Sequence, residues 1–344
     1  MKAAILVEQK KPLVVADIQL PEKLEYGQVL VRIVCSGICG SQIGEINGVK
    51  GPDNFLPHLL GHEGGGVVEN TGPGVSRVKK GDRVVMHWRK GFGIESSVPK
   101  YKWEDKAVNA GWITTFNEQA VISENRLTPV PDDVEFEIAA LMGCAVTTGL
   151  GVVNNNAKLK IGESIAVFGA GGVGLNIIQG AAMVSAYPII AIDKFNKKLE
   201  IAKVFGATHT IDNSSGIDVR EEIFNITGKK GVDAAVDNTG NTKVIEMAYE
   251  VTSTTGRTVL VGVPKKGDNI NIYSLPLHFE KTISGSHGGE SNPSIDIPNY
   301  IKLYRKGKLG LKEMISHRFG LDDINMAIDA MQRGEAIRCM IRMD

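Results

Sequence analysis

A glycine-rich turn in the middle of the chain constrains the fold more than any other feature of the sequence. Residues 169–174 read Gly-Ala-Gly-Gly-Val-Gly, and they stand between the apolar run 165–168 and an apolar segment with helical character. In this context Gly169 permits a tight turn, Gly171 lets the backbone approach a pyrophosphate, and Gly174 lets helix and strand pack closely. The pattern predicts a dinucleotide-binding unit.

An acidic residue follows the turn at the expected distance. Asp193 ends the next apolar run, about 20 residues after Gly174. Its carboxylate can accept hydrogen bonds from both ribose hydroxyls and would repel a 2′-phosphate, so the sequence predicts NAD rather than NADP. Gly172 and Val173 belong to the same turn. The alternative is a glycine-rich turn that binds no ligand, since a glycine pattern alone is weak.

The pattern of apolar, glycine and proline residues changes near Pro131. The first 125 residues read as short β-runs broken by Gly and Pro, whereas strands and helices alternate from residue 165 to about 287. The apolar runs of this second region lack period-two alternation, as strands buried on both faces should; they are 189–192, 234–236 and 258–261. We therefore expect an α/β protein with a doubly wound parallel Rossmann sheet, followed by helical segments 299–305 and 321–333 and a strand 338–342.

Composition excludes several classes of protein. The 344 residues suggest two domains, and 39 basic against 39 acidic residues give no net charge. No run of five like charges occurs, so we expect no nucleic-acid partner and no acidic membrane partner. The apolar run at the N-terminus is too short for a signal peptide, so a cytoplasmic location is expected. Residues 164–192 carry no charge, but their glycines and Pro188 argue against a transmembrane helix.

Three soft donors precede the glycine-rich turn. Cys39, His62 and Cys144 are the residue types that zinc accepts, and three protein ligands leave one coordination position open for water or substrate. Taken singly, a cysteine is more often a buried small hydrophobe and a histidine near glycines a surface turn residue. The short sequence motif around each residue favours a role as metal ligand. The motifs are Gly-Ile-Cys-Gly-Ser at 37–41, Gly-His-Glu-Gly-Gly-Gly at 61–66 and Gly-Cys-Ala-Val-Thr-Thr-Gly at 143–149.

With these motifs, and with Lys-Gly-Asp-Arg-Val at 80–84 and Gly-Glu-Ala-Ile-Arg at 334–338, the whole chain resembles the zinc-containing medium-chain alcohol dehydrogenases. The resemblance implies a discontinuous, mainly-β GroES-like catalytic domain, 1–146 with 288–344, and a Rossmann NAD-binding domain, 147–287. It implies that Cys39, His62 and Cys144 bind one catalytic zinc, with Glu63 beside it and Ser41 receiving the substrate's proton. The cofactor-binding residues that it adds are Thr148, Val173, Lys198, Val261, Val263 and, at the pyrophosphate, Arg338.

Three departures from the family pattern matter. Residues 87–115 contain no cysteine, so we expect no structural zinc. Gly44 stands where better-known members have a histidine that ends a proton relay, so the relay is shortened or rerouted. Gln42 stands where an acid is common, which puts the usual hydrogen bond to His62 in doubt.

The predicted reaction is hydride transfer from an alcohol or polyol to NAD, reversible with carbonyl reduction. By resemblance the substrate pocket includes Trp88, Phe116, Asn117 and His287, with His87 and Arg89 near its mouth; the alternative is that Phe116 is core. The polar members hint at an oxygenated small-molecule substrate. Two rivals stay open: a zinc-free quinone or enoyl reductase of the same fold, and a non-catalytic NAD-binding structural protein. A homodimer or homotetramer is expected from the family.

Overall fold

The computed structural model describes residues 1–343. The chain divides into two compact units, one formed by Met1–Cys144 with Asn292–Asp344 and the other by Ala145–Ser291. The domain borders predicted from the sequence, 146/147 and 287/288, stay a prediction.

The elements follow in chain order. The strands are β1 (Lys2–Leu6), β2 (Val14–Asp17), β3 (Gln28–Gly37), β4 (His58–Leu59), β5 (Glu63–Thr71), β6 (Arg83–His87), β7 (Tyr101–Trp103), β8 (Lys106–Val108), β9 (Gln119–Ser123), β10 (Leu127–Pro129), β11 (Ile165–Phe168), β12 (Ile189–Asp193), β13 (His209–Asp212), β14 (Val232–Asp237), β15 (Thr252–Leu260), β16 (Thr282–Gly285), β17 (Ile315–Gly320) and β18 (Arg338–Arg342). The helices are α1 (Gly40–Ile46), α2 (Phe136–Leu141), α3 (Thr147–Gly151), α4 (Gly172–Met183), α5 (Asn196–Val204), α6 (Val219–Ile226), α7 (Thr242–Val251), α8 (Pro293–Arg305) and α9 (Ile324–Gln332). Two π turns, Met142–Val146 and Val152–Asn156, follow α2 and α3.

The first unit is built on antiparallel sheets. Its largest sheet has the order β10-β6-β5-β3-β18-β17, with β9 also paired to β3, and a smaller sheet has the order β2-β1-β4. In β3 the β-branched residues Val29, Val31 and Ile33 alternate with less buried positions and enter one apolar cluster with β5, β6 and β9. The strand that was predicted at 338–342 is confirmed as β18, which lies beside β3.

A second apolar cluster of this unit joins the two ends of the chain. In α9, Ile324, Ala327 and Ile328 recur at helical spacing and pack in one core with Phe116 and Cys339. The same cluster holds residues of α1 and of the segment before β5. This packing fixes the position of the loops from which two of the predicted zinc ligands come.

The second unit is a six-stranded parallel sheet of order β13-β12-β11-β14-β15-β16. It confirms the predicted Rossmann fold class, and β11, β12, β14 and β15 cover the predicted apolar runs. The sequence reasoning did not identify β13 and β16 as strands. Their residues are mostly polar or partly exposed, because edge strands are not buried on both faces.

The strand order reverses around β11. The chain passes from β11 through α4 to β12 on one side, and later returns to β14 on the other side. In open parallel sheets a ligand binds at the carboxyl ends of the strands beside such a reversal. The glycine-rich turn, which joins β11 to α4, lies at this point.

One helical stretch, Phe136–Asn156, is long and apolar enough to cross a membrane by length and composition alone. Of its most apolar window, 89% is buried inside the protein, as in the core helix of a globular protein. The uncharged segment 164–192 contains β11, α4 and most of β12, which agrees with the rejection of a membrane span there.

Candidate functional site

Three donor side chains converge in the first unit. Cys39 precedes α1 in extended backbone, His62 directly precedes β5, and Cys144 lies in the π turn Met142–Val146. Their ligand atoms all lie within 4.8 Å of one another, and the two Sγ atoms are 3.9 Å apart. The residues that the sequence singled out as ligands are therefore brought together.

Two glycines dictate how the chain reaches this cluster. Gly61 has a φ of +91°, and a Cβ there would lie 2.7 Å from the backbone nitrogens of Thr115 and Phe116. A Cβ on Gly143 would lie 2.3 Å from the carbonyl oxygen of Met86. Only glycine allows these close backbone approaches, which set the directions of His62 and Cys144. Single π turns inside helices are frequent at functional sites.

The electrostatics of the cluster favour a cation. A hydrogen bond with Cys144 and the nearby His62 hold the pKa of the Cys39 thiol well below its ordinary value, although burial opposes this shift. The hydrogen bond between the two thiols, together with burial, raises the pKa of the Cys144 thiol. Burial lowers the pKa of His62, but Cys39 and Glu63 raise it more. Two thiol groups that share a proton in a hydrogen bond, next to an imidazole, form a set of metal ligands that suits zinc.

The imidazole of His62 has one nitrogen directed to the protein and one left over. Its Nδ1 lies 3.0 Å from Nε2 of Gln42, whereas its Nε2 is buried and makes no hydrogen bond within residues 1–343. A buried nitrogen without a partner costs free energy unless a ligand pairs with it. This orphaned Nε2 fits a metal ion between Cys39, His62 and Cys144.

The sequence left the role of Gln42 in doubt, and the structure resolves the contact. Gln42 is 6% exposed, and its Oε1 accepts a hydrogen bond from the backbone N–H of Gly61. The amide thus bridges the backbone before His62 and the ring of His62 itself. The signal that could have found this contact is the position of Gln42 in the helix that follows Cys39.

The remaining cysteines are packing residues. Cys35 and Cys339 are buried in β3 and β18. Burial raises the pKa of Cys35 to about 12 and that of Cys339 to about 11. Both thiols therefore keep their protons and behave as small hydrophobes.

Glu63 and Arg338 form a buried ion pair beside the cluster. The side chain of Glu63 has no exposed surface, that of Arg338 is 3% exposed, and the guanidinium donates to Oε1 of Glu63. Burial lowers the pKa of Arg338, but the charges of Glu63, Cys39 and Cys144 raise it above its ordinary value. Arg338 thus binds Glu63 and lies near the thiols, and its expected contact with a pyrophosphate stays a prediction.

Some of the predicted pocket residues lie near the ligand cluster and others do not. The ring of Trp88 lies 6.3 Å from that of His62, and the Arg89 guanidinium lies 5.9 Å from the Trp88 ring. Ser41 is half-buried in the first turn of α1, two residues after Cys39. Trp88 and Ser41 therefore stand next to the ligand cluster. His287 is exposed in the second unit, at the turn that precedes residues 288–290.

Phe116, Asn117 and His87 are more buried than the pocket prediction implied. Phe116 and Asn117 have no exposed surface; Phe116 packs in the α9 core cluster, and Asn117 donates to the carbonyl oxygen of Gln119. The core alternative is therefore favoured for Phe116, whereas the Oδ1 of Asn117 is buried without a hydrogen-bond partner in the described residues, so its place in a pocket stays a prediction. His87 is equally buried, between the Arg89 carbonyl oxygen at 2.8 Å and the Thr128 hydroxyl at 2.9 Å. Because the ring has no exposed surface and both its nitrogens are bonded inside the protein, His87 does not line a pocket mouth, and burial lowers its pKa to about 4.

The second unit carries the predicted dinucleotide residues at the sheet reversal. Gly169 ends β11 with a φ of +92°, and α4 begins at Gly172. A Cβ on Gly174 would lie 1.9 Å from the carbonyl oxygen of Gly169, so strand and helix require glycine there. A Cβ on Gly171 would meet no atom of the described chain within 4 Å. The helix N-terminus therefore opens on a cradle that a phosphate group could fill.

Other members of the predicted cofactor set lie around this turn or on neighbouring elements. Asp193 ends β12; its Oδ2 accepts from the Ala170 N–H at 2.8 Å and its Oδ1 from the Phe195 N–H at 3.0 Å. The buried Thr148 hydroxyl has no hydrogen-bond partner in the part of the chain that the structure describes. Half-buried Val173, Lys198 and Val261 lie in α4, in α5 and after β15, and Val263 is 47% exposed. The hydrogen-bonded carboxylate of Asp193, the unpartnered hydroxyl of Thr148 and the open space at Gly171 are features that fit a dinucleotide.

Comparison with known proteins adds independent findings. The alcohol dehydrogenase GroES-like domain matches residues 25–132, and the zinc-binding dehydrogenase domain matches residues 172–306. The S-(hydroxymethyl)glutathione dehydrogenase of Paracoccus denitrificans is 33% identical, over 99% of both chains. Alcohol dehydrogenase 1 of Trifolium repens is 31% identical, over 100% of this chain and 97% of that protein. The crystal structure of benzyl alcohol dehydrogenase from Acinetobacter calcoaceticus superimposes with a TM-score of 0.89 at 27% identity, over 100% of this chain and 99% of that chain.

Proposed function

Because the chain belongs to the zinc-dependent medium-chain alcohol dehydrogenases, we propose that it oxidises an alcohol with NAD as the hydride acceptor and reduces the carbonyl product in the reverse direction. The observation that carries this proposal is the convergence of Cys39, His62 and Cys144 around the orphaned Nε2 of His62. Without these three donors the fold would suit a zinc-free reductase equally well.

We propose that Cys39 Sγ, His62 Nε2 and Cys144 Sγ hold one zinc ion. When bound, zinc supplies Lewis acidity that makes an alcohol hydroxyl acidic near neutral pH, and nicotinamide accepts the hydride. Glu63 and Arg338 hold their charges beside the thiols. The ring of Trp88, next to His62, would supply an apolar wall beside a bound alcohol.

Ser41 is the proposed proton acceptor. Its Oγ, in the first turn of α1, would take the hydroxyl proton of the alcohol and pass it to a cofactor ribose hydroxyl. Gly44, one turn later, has no side chain that could continue such a relay. A proton taken up by Ser41 would therefore leave to water rather than through a histidine side chain at position 44.

The cofactor site proposed for the second unit uses the residues around the sheet reversal. The pyrophosphate would lie against Gly171 and Gly172 at the N-terminus of α4, where the helix dipole favours negative charge. Asp193 would accept from the adenosine ribose hydroxyls, and its carboxylate would repel a 2′-phosphate. The Thr148 hydroxyl would contact the nicotinamide end. These roles make NAD the preferred cofactor.

We propose that one zinc is the full complement. The segment between β6 and β9 has no cysteine, and a buried carboxylate organises its flanks instead. Glu124, with no exposed surface, accepts from the backbone N–H groups of Ser76, Arg77 and Ile94 at 2.6–2.7 Å. Charge-assisted hydrogen bonds from three backbone donors would hold these segments together without a second metal.

The proposed substrate class is a small alcohol with an apolar body. The polyol hint depended on the polar side chains of Asn117, His87, His287 and Arg89, and of these Asn117 and His87 are fully buried. Among the predicted wall residues of the first unit, the aromatic ring of Trp88 is the one beside His62. A panel of primary, secondary and aromatic alcohols and of diols, assayed for NADH formation, tests the proposal. Turnover of aromatic alcohols above diols is expected, and no turnover of any alcohol would favour the non-catalytic rival.

A homo-oligomer in the cytoplasm completes the proposal. In the second unit, Tyr273, Leu275 and Phe279 are 49–70% exposed and directly precede β16, the edge strand of the parallel sheet. Exposed apolar side chains next to an open strand edge favour association between copies of a chain. Sedimentation analysis tests this, with a dimer or tetramer expected.

A further inference from the structure

Gln42 occupies an unusual position between the proposed zinc ligand His62 and the backbone before it. The residue lies in α1 and is 6% exposed. Its Nε2 lies 3.0 Å from His62 Nδ1, and its Oε1 accepts from the Gly61 N–H. The Oε2 atom of Glu45, one turn further along α1, lies 3.5 Å from the same Nε2.

The hydrogen-bond count changes when His62 binds a metal. A neutral imidazole carries one proton, and a metal on Nε2 leaves that proton on Nδ1. The Nδ1–H group is then a donor, and the amide nitrogen of Gln42 that faces it is also a donor. Two donors cannot form a hydrogen bond, so the amide must turn its Oε1 toward His62.

Turning the amide removes the partner of another donor. The Gly61 N–H is buried, and Gly61, at a φ of +91°, lies close to the backbone of Thr115 and Phe116; within residues 1–343 the acceptor of this N–H is Oε1 of Gln42. After the turn this N–H faces Nε2 of Gln42, again donor against donor. A buried N–H that loses its acceptor costs free energy, and zinc binding would have to supply it.

A carboxylate would not meet this conflict. It has two acceptor oxygens, one for the Gly61 N–H and one for Nδ1–H of His62. This inference rests on the proposed zinc site. We propose that Gln42 is a positioning residue whose side-chain amide turns over when His62 binds the metal. As a result, Gln42 makes zinc affinity lower than a carboxylate at position 42 would.

The neighbouring Glu45 allows a test at constant charge. The exchange variant Q42E/E45Q has the same atoms and net charge as the wild type, but it places the carboxylate against His62 and Gly61. Zinc affinity is measured on the metal-stripped full chain by competition with a chromophoric chelator, a readout that does not depend on turnover. We expect the exchange variant to bind zinc about 10- to 100-fold more tightly than the wild type.

The apolar variant Q42M is the matched control. It keeps the length of the side chain but accepts from neither donor, so zinc affinity should fall at least about tenfold below the wild type. Affinity of Q42E/E45Q equal to or below that of the wild type would overturn the inference while leaving the zinc site intact. A wild type that binds no zinc would overturn the proposed zinc site, and the inference with it.

Hydrogen exchange on the wild type keeps the inference testable if the variants fold poorly. The amide hydrogen of Gly61 should exchange faster with zinc bound than without it, because zinc removes its acceptor. Zinc should slow exchange in the surrounding backbone. Slower exchange at Gly61 on zinc binding would contradict the turn of the Gln42 amide.

Discussion

Cys39 and Cys144 are 105 positions apart in the chain, yet their Sγ atoms lie 3.9 Å apart. The first follows the end of β3, and the second lies in a π turn packed on β6 through Gly143. Because β3, β5 and β6 are neighbours in one sheet, the sheet itself brings the two thiols and His62 together. The soft donor set is therefore a product of the tertiary fold.

The carboxylate of Asp193 is expected to set the choice between NAD and NADP. The wild type should prefer NAD by at least about tenfold in kcat/KM, which corresponds to about 1.4 kcal/mol. Asp193→Asn keeps an acceptor oxygen for the Ala170 N–H but removes the charge, so the preference should narrow. Glu200→Gln, which removes an exposed carboxylate from α5, should leave it unchanged. A wild type that prefers NADP would show that Lys194 or Lys198 captures the 2′-phosphate.

Two glycines of the same turn should fail in different ways when changed to alanine. In Gly174→Ala the new Cβ meets the carbonyl oxygen of Gly169, so the free energy of unfolding should fall by about 1–3 kcal/mol. In Gly171→Ala the new Cβ meets no atom of the described chain, so the melting temperature should hold while NAD affinity falls. Thermal unfolding and NAD titration of both variants check this. Unchanged NAD binding by Gly171→Ala would argue against the phosphate cradle.

His87 should make the protein less stable in mild acid. Its pKa is lowered by burial from 6.5 to about 4, so the unfolded state takes up a proton before the folded state does. Stability contributed by the neutral ring is present above pH 6.5 and is lost as the pH falls toward 4. Between pH 7 and pH 5 the loss should be about 2 kcal/mol from this residue.

Urea unfolding at these two pH values measures the loss. His87→Gln should be less stable at pH 7 but should show a smaller difference between pH 7 and pH 5 than the wild type. His278→Gln, at an exposed position, serves as the control. An equal pH dependence in the His87 variant and the wild type would exclude His87 as its source.

The buried pair of Glu63 and Arg338 should be far more sensitive than a surface pair. Glu63→Gln leaves a guanidinium buried without its carboxylate, and the expected loss of stability is about 3 kcal/mol. In the pair of Lys2 and Asp322 the side chains are 38% and 68% exposed, so Asp322→Asn should cost less than about 1 kcal/mol. Equal losses in the two variants would mean that Arg338 finds another partner near the thiols.

The sequence predicted the parts of the site that depend on local pattern. The glycine-rich turn requires particular glycines at fixed spacing, and Gly169 and Gly174 meet those requirements in the structure. Cys39, His62 and Cys144 were recognisable because each stands in a distinctive short motif.

The parts that depend on side-chain direction were not predictable in the same way. Phe116 and Asn117 were assigned to a pocket by resemblance, but packing against α9 and the adjacent backbone buries them. The contact between Gln42 and His62 needs the exact turn of α1 on which Gln42 stands. The π turn at Cys144 has no sequence signature, and the strands β13 and β16 lack the apolar runs that mark buried strands.

The most direct test of the account is a zinc titration of the metal-stripped protein, followed by the rate of NADH formation from the best alcohol of the panel. The rate should rise linearly to one equivalent of zinc per chain and then stay constant. The Cys39→Ser variant should form no NADH at any zinc concentration. It should still bind NAD, because the glycine-rich turn at residues 169–174 lies in the other unit. Turnover that survives the removal of zinc, or that is regained equally by Cys39→Ser, would contradict the assignment of Cys39, His62 and Cys144 as the catalytic metal site.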